Sequence, residues 1–222
     1  MELAEKQPRR LLILDFDGTL ADTQPLIIDS LQATIRELGL PARTDDQCKA
    51  IIGLPLKECF LRMLPVDDAT ADRCADVYRR IFDEKNHSGV VTLFPHVLDT
   101  LQKLHAKGHM LAICSSRGRP TLEGFVRTFR LQPYVSMVVS ANDVQHGKPH
   151  PEPVQLIFRT LGIPASQALV VGDASYDILM GRAAGCRTCG VTYGNQPADE
   201  LLAAGADSLV DDFADLLPLL SL

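Results

Sequence analysis

The sequence is poor in aromatic residues, which make up 5% of its 222 positions and include no tryptophan, and it has no run of basic residues. With a net charge of −6 and a pI near 5.5 it offers neither the basic patch nor the stacking surface that nucleic acid requires. No apolar run approaches the roughly 20 residues that cross a bilayer. The segment MELAEKQPRR adjoins only the four-residue run at 11–14, too short for the apolar part of a secretory signal. These absences predict a cytoplasmic chain with no nucleic-acid or membrane partner. Internal repeats and low-complexity tracts are also lacking.

Disulfides are not implied. The six cysteines (48, 59, 74, 114, 186 and 189) lie mostly within apolar or helical patterns, as buried thiols do in a reducing compartment. Cys186 and Cys189 form a CxxC, but CRTCGV reads as a strand, where a separation of three sends side chains to opposite faces. No second CxxC completes a four-ligand site.

What the sequence does have is 46% apolar and 23% charged residues, enough for one good core plus an appended subdomain. It also has the stretch LLILDFDGTLAD at 11–22. Leu11 to Leu14 read as a central strand buried on both faces, ended by Gly18 and Thr19. In an open α/β sheet ligands collect beyond the carboxyl ends of the strands, where Asp15 would stand. Asp17, two residues on, would address the same reacting group if the chain stays extended. Taken alone, DxDG is equally a turn before a helix.

The next strand pattern begins only at HMLAICS, 109–115, and helical patterns fill about 21–89: Pro25 to Leu38, then about 45–51, 55–64 and 67–84. From Pro95 helices and strands alternate. Helices are predicted at 95–107, 121–129, 153–161 and 176–184, strands at 134–140, 168–171, 186–192 and 208–210, and a last helix from Asp212. The expected class is α/β, a doubly wound parallel sheet with a Rossmann-like core (1–20 and 90–222) and an inserted helical-bundle cap (21–89).

Three strand ends carry polar groups. LAIC leads into Ser115, Ser116 and Arg117, which offer hydroxyls and backbone N–H groups to an oxyanion. Lys148 sits in GKPHPEP, where Pro149, Pro151 and Pro153 restrict the backbone. VVGDASYD places Asp173 at a strand end and Asp177 in the first helical turn after it. Together with Asp15 and Asp17 these carboxylates suggest a hard cation with oxygen ligands.

Taken together, DFDGTLAD, the Ser115 strand end, GKPHPEP and GDASYD resemble the four signature motifs of the haloacid dehalogenase superfamily, and IIGLPL at 51–56 is similar to a cap segment of its phosphoglycolate phosphatase-like branch. The resemblance implies a Mg²⁺-dependent phosphatase of small phosphate monoesters. In it Asp15 is the nucleophile, Asp17 the general acid/base, Ser115 a phosphate ligand and Lys148 the neutralising cation. Asp15, Asp173, Asp177 and the Asp17 backbone carbonyl would hold the metal. Gly18, Thr19, Ser116 and the cap residue Leu54 are expected to face substrate. With a divalent ion and Lys148 offsetting most of the charge of the carboxylates and a bound phosphate, Asp17 can stay protonated. The expected partner is a small phosphorylated metabolite, and the expected assembly a monomer or weak homodimer. A phosphomutase or inorganic pyrophosphatase could use the same nucleophile, and a non-catalytic module on the same fold would have lost site residues that are intact here. The second motif reads SSR where many relatives have Thr-Asn-Lys, which leaves the roles of Ser116 and Arg117 open.

Overall fold

β1 (Leu11–Leu14) has no exposed surface at any of its four residues and lies at the centre of the sheet. A computed structural model describes residues 10–87 and 89–220. Alternate side chains of β1 enter different apolar clusters, Leu12 and Leu14 on one face and Leu11 and Ile13 on the other, so helices cover both sides. Beyond β1 the chain forms a two-residue strand, β2 (Ala21–Asp22), and then four helices: α1 (Gln24–Glu37), α2 (Asp45–Lys49), α3 (Leu56–Met63) and α4 (Asp68–Lys85). The chain returns through β3 (Thr92–Leu93), which pairs antiparallel with β2.

α5 (Val97–Ala106), β4 (Met110–Cys114), α6 (Arg119–Thr128) and β5 (Met137–Val139) follow. Then come α7 (Glu152–Leu161), β6 (Ala168–Gly172), α8 (Ser175–Ala183), β7 (Arg187–Val191), α9 (Ala198–Ala203), β8 (Ser208–Val210) and α10 (Leu216–Leu219). The six long-range strands run parallel in the order β5-β4-β1-β6-β7-β8. This is the doubly wound sheet that the alternating pattern predicts.

Four details differ from the sequence reading. The β2–β3 ribbon and α9 are additions, each too short to leave a periodic signal. β5 is three residues long where seven were expected, and the last helix begins at Leu216 after a 3₁₀ turn that the Asp212 side chain caps. All six cysteines are buried free thiols, and Cys186 and Cys189 do fall on opposite faces of the sheet. No helix among the described residues is long and apolar enough to cross a membrane.

α1 and α3 both pack on α4, and their buried side chains, including Leu31, Phe60 and Phe82, belong to the same cluster as Leu12, Leu14 and Phe125 of the sheet layer. The inserted helices therefore share a core with the α/β unit. The aromatic chain Tyr78–Phe82–Phe125–Phe16 crosses that boundary, with centroids 5.7, 6.4 and 5.4 Å apart.

His109, at the entry to β4, is 5% exposed, and its Nδ1 accepts the Arg10 N–H at 3.3 Å. Burial, with Lys107 and Arg10 adding to it, holds its pKa below the ordinary imidazole value. The unfolded chain therefore takes up a proton before the folded one does, and stability should fall as pH drops through about 6.5. Denaturant unfolding of wild type and His109→Gln at pH 7.5 and 5.0 checks this. The variant should lose less stability on acidification, and equal losses would remove His109 from the account.

Candidate active site

The parallel register of β1 and β6 sets Leu14 beside Val171, and the Asp15 N–H extends the ladder by donating to Val171 O at 2.9 Å. Asp15 and Asp173 thus leave neighbouring strand ends into one crevice. Gly172 allows Asp177 to fold back there, because a Cβ at 172 would collide with the Asp177 side chain. Asp15, Asp17, Asp173 and Asp177 are all at least 93% buried. Lys148, 3% exposed, reaches them from the loop before α7 and forms ion pairs with Asp15 and, at 2.7 Å, with Asp177 Oδ1.

Asp173 is held from three sides. The Thr19 hydroxyl donates to its Oδ1 at 2.9 Å, while the Asn195 N–H and Nδ2 donate to its Oδ2 at 2.7 and 2.6 Å. Asn195 also donates to the Asp17 carbonyl at 3.4 Å and accepts from Gln24 Nε2 at 2.8 Å. Gly18 passes this cluster at φ +89°, and a Cβ there would strike Asp173 and Asn195. The structure therefore places Gly18 and Thr19, expected at the substrate, against Asp173. Nothing in the sequence flagged Asn195, which lies in a loop far from every motif.

Four carboxylates against two buried cations, Lys148 and Arg117, leave two negative charges in excess when all are ionised. The pKa values reflect that imbalance. Burial raises Asp15 well above the ordinary carboxyl range; Lys148 opposes the rise, and Asp177, Asp173 and Asp17 add to it. Burial and Asp177 lift Asp173 to about 6 despite its hydrogen bonds. Burial would lower Lys148, but Asp15 and Asp177 hold its pKa above the ordinary lysine value.

In the unliganded site Asp17 has a strong cationic partner. Burial pushes its pKa up, but the Arg117 guanidinium more than reverses this, so Asp17 is ionised. Arg117 Nε and Nη2 clamp the carboxylate at 3.2 and 2.5 Å, with side-chain exposures of 9% and 10%. An unassigned member of SSR is thus the direct partner of the second aspartate.

The other hydroxyls of that motif are engaged as well. Ser115 donates to Asp17 Oδ2 at 3.4 Å and accepts the Arg117 N–H at 3.1 Å, while Ser116 donates to Gly53 O, in the loop between α2 and α3, at 2.7 Å. Asp15, Asp17, Ser115, Ser116, Arg117 and Leu54 border one cavity of about 570 Å³ between the inserted helices and the strand ends. Lys57 lies on its rim, paired with Asp68 and Asp72. His146 and His150 stay on the exposed surface, His146 bonded to Glu152.

The family model of the haloacid dehalogenase-like hydrolases matches residues 12–191, from β1 to the end of β7. The chain belongs to this family. Within it, the chain is similar to the phosphoglycolate phosphatase of Salmonella typhimurium, at 34% identity across 96% of this chain and 93% of the relative. It is similar also to the pyrophosphatase PpaX of Bacillus pumilus, at 36% identity across 93% of this chain and 94% of the relative. A crystal structure of a haloacid dehalogenase-like hydrolase from Bacteroides fragilis superposes with a TM-score of 0.88 at 28% identity, covering 94% of this chain and all of that one.

Gly18→Ala should misplace Asp173 and Asn195 and strain the backbone, at a cost of about 1–3 kcal/mol. Thermal unfolding should report a lower Tm, and a variant as stable as wild type would contradict the packing described for Gly18.

Proposed function

We propose that the protein is a Mg²⁺-dependent phosphatase that hydrolyses small phosphate monoesters, phosphoglycolate-like in size and charge, through an aspartyl-phosphate on Asp15. One observation carries this reading: a buried aspartate paired with a buried lysine, with a second aspartate two residues on facing the same cavity. Asp15 Oδ attacks phosphorus and the ester P–O bond breaks. The leaving oxygen takes the proton of Asp17, and Asp17 then removes a proton from the water that cleaves the aspartyl-phosphate, returning Asp15 and releasing inorganic phosphate. The ionised state of free Asp17 suits the second half-reaction. Its first role requires protonation, which the arriving phosphate dianion favours by repulsion. Lys148 and the Ser115 strand end bind and orient the phosphoryl group.

The residues fit a divalent ion. Asp15, Asp173 and Asp177 bring one carboxylate oxygen each within 4.8 Å of one another, and Asp177 Oδ1 has the ionic contact of Lys148 but no hydrogen bond. An all-oxygen donor set with excess negative charge suits Mg²⁺, with the Asp17 carbonyl as a further ligand. Bound there, Mg²⁺ would offset charge and polarise phosphoryl oxygens. We take residues 21–89 as a cap that excludes water and meets the part of the substrate beyond the phosphate.

A second reading, a pyrophosphatase, is favoured by the PpaX relative and needs no change of residues. A panel of phosphate esters, pyrophosphate and sugar phosphates, ranked by kcat/KM with Mg²⁺, separates the two. Asp15→Asn should lose essentially all turnover and keep its fold, and substantial residual turnover would sink the aspartyl-phosphate route. Asp17→Asn should slow phosphorylation far more with alkyl than with aryl phosphates, since a phenolate leaves unaided; equal losses would remove its acid role. Leu54→Arg should shift kcat/KM among small esters by about 10- to 100-fold while hydrolysis of a minimal acyl phosphate changes much less. Uniform losses with a depressed Tm would make Leu54 a packing residue only.

A further inference from the structure

We propose that Arg117 forms a subsite for a second anionic group of the substrate, a carboxylate or further phosphoryl group carried beyond the phosphate that reacts. This rests on the phosphatase reading of the same site and narrows its substrate class. Arg117 borders the cavity, and only part of its donor set is used. Nε and Nη2 go to Asp17, while Nη1 donates to nothing among the described residues. A guanidinium presents five N–H donors in a planar fork, so at least two remain open on a side chain that is 9% exposed. These donors have no protein partner among the described residues, and an anion in the cavity satisfies them with charge-assisted hydrogen bonds.

The fork is already fixed in place. Its carbon lies 4.5 Å from the centroid of Phe82, on α4, and 5.2 Å from that of Phe125, on α6. Two rings and a bidentate carboxylate hold the plane before substrate arrives, so little ordering cost remains. Phe82 belongs to the inserted helices, which thereby help position a residue of the α/β unit.

The remaining cations near the cavity are committed elsewhere. Lys148 is shared by Asp15 and Asp177 at the reacting centre. Lys57 bridges Asp68 and Asp72, and Arg79 pairs with Asp76; both have more exposed side chains, at 37% and 61%. Among the described cations around the cavity, Arg117 alone combines low exposure, rigid placement and open donors. It also stands next to Asp17, so an anion that it binds lies beside the leaving group rather than the phosphoryl group.

Phosphoglycolate and 2-hydroxyethyl phosphate test this, since they differ in a carboxylate against a neutral hydroxymethyl group. With Mg²⁺ bound, wild type should favour phosphoglycolate in kcat/KM by about 100-fold, the scale of discrimination expected of a charged hydrogen-bond pair. Arg117→Met should bring the ratio to within about threefold of unity, and Arg117→Lys should keep part of it because the charge remains without the fork. Phe82→Leu should raise KM for phosphoglycolate by a larger factor than for the neutral ester, and so lower the ratio between them. A wild-type ratio near one, or losses in Arg117→Met that leave the ratio unchanged, would overturn the subsite. Circular dichroism identifies a variant that fails to fold. If Arg117→Met does, the Arg117→Lys and Phe82→Leu ratios decide, and unchanged ratios in both reject the proposal. Hydrolysis of neither ester by wild type would instead reject the phosphatase reading. Calorimetric binding of the two esters to wild type and Arg117→Lys then tests the subsite independently, and equal wild-type affinity for both rejects it.

Discussion

Four carboxylates crowd the ends of two adjacent strands, and the rest of the site is organised by the need to make that crowding tolerable. Because β1 and β6 are hydrogen-bonded neighbours in register, Asp15 and Asp173 cannot avoid one another. Burying such charges without partners is prohibitive, so each is met by a specific cation or donor. The sheet order distributes those partners by side. Arg117 follows β4 and Lys148 follows β5, both on one flank of β1, whereas Asn195 follows β7, on the flank beyond β6. Both cations thus come from one flank, while Asn195 reaches Asp173 from the other, leaving the oxygen-rich pocket of Asp15, Asp173 and Asp177 between them.

The elements that generate this arrangement were legible wherever burial writes a pattern. The apolar runs that became β1, β4 and β6 are covered on both faces, and strands of that kind need no alternation to be found. Asp15 and Asp173 stood out because each follows such a run directly, with Asp17 and Asp177 two and four residues further on. Arg117 and Asn195 escaped for the opposite reason: their importance lies in contacts 100 and 178 residues away along the chain, and no local spacing encodes those. The lowered pKa of Asp17 in the unliganded site has the same origin, since the ordinary effect of burial is reversed by a partner that only the fold brings near.

The inserted helices make a different kind of contribution. Apart from the Ser116 bond to Gly53 O, what they present around Arg117 is aromatic, with Phe82 stacked on the guanidinium and Tyr78 stacked on Phe82. A ring face holds a cation without competing for its hydrogen-bond donors, so orientation and recognition can be divided between two parts of the chain.

The small ribbon between β2 and β3 has a consequence for how such a chain tolerates change in length. By pairing Ala21 with Leu93 and Asp22 with Thr92, it ties the two ends of a long excursion together at its base. The entropy of closing a loop grows only with the logarithm of its length. Residues added or removed in the exposed connections between the inserted helices, away from their packed faces, are therefore absorbed inside the excursion at small cost. The spacing from β1 to α5, and with it the position of Asp15, stays the same.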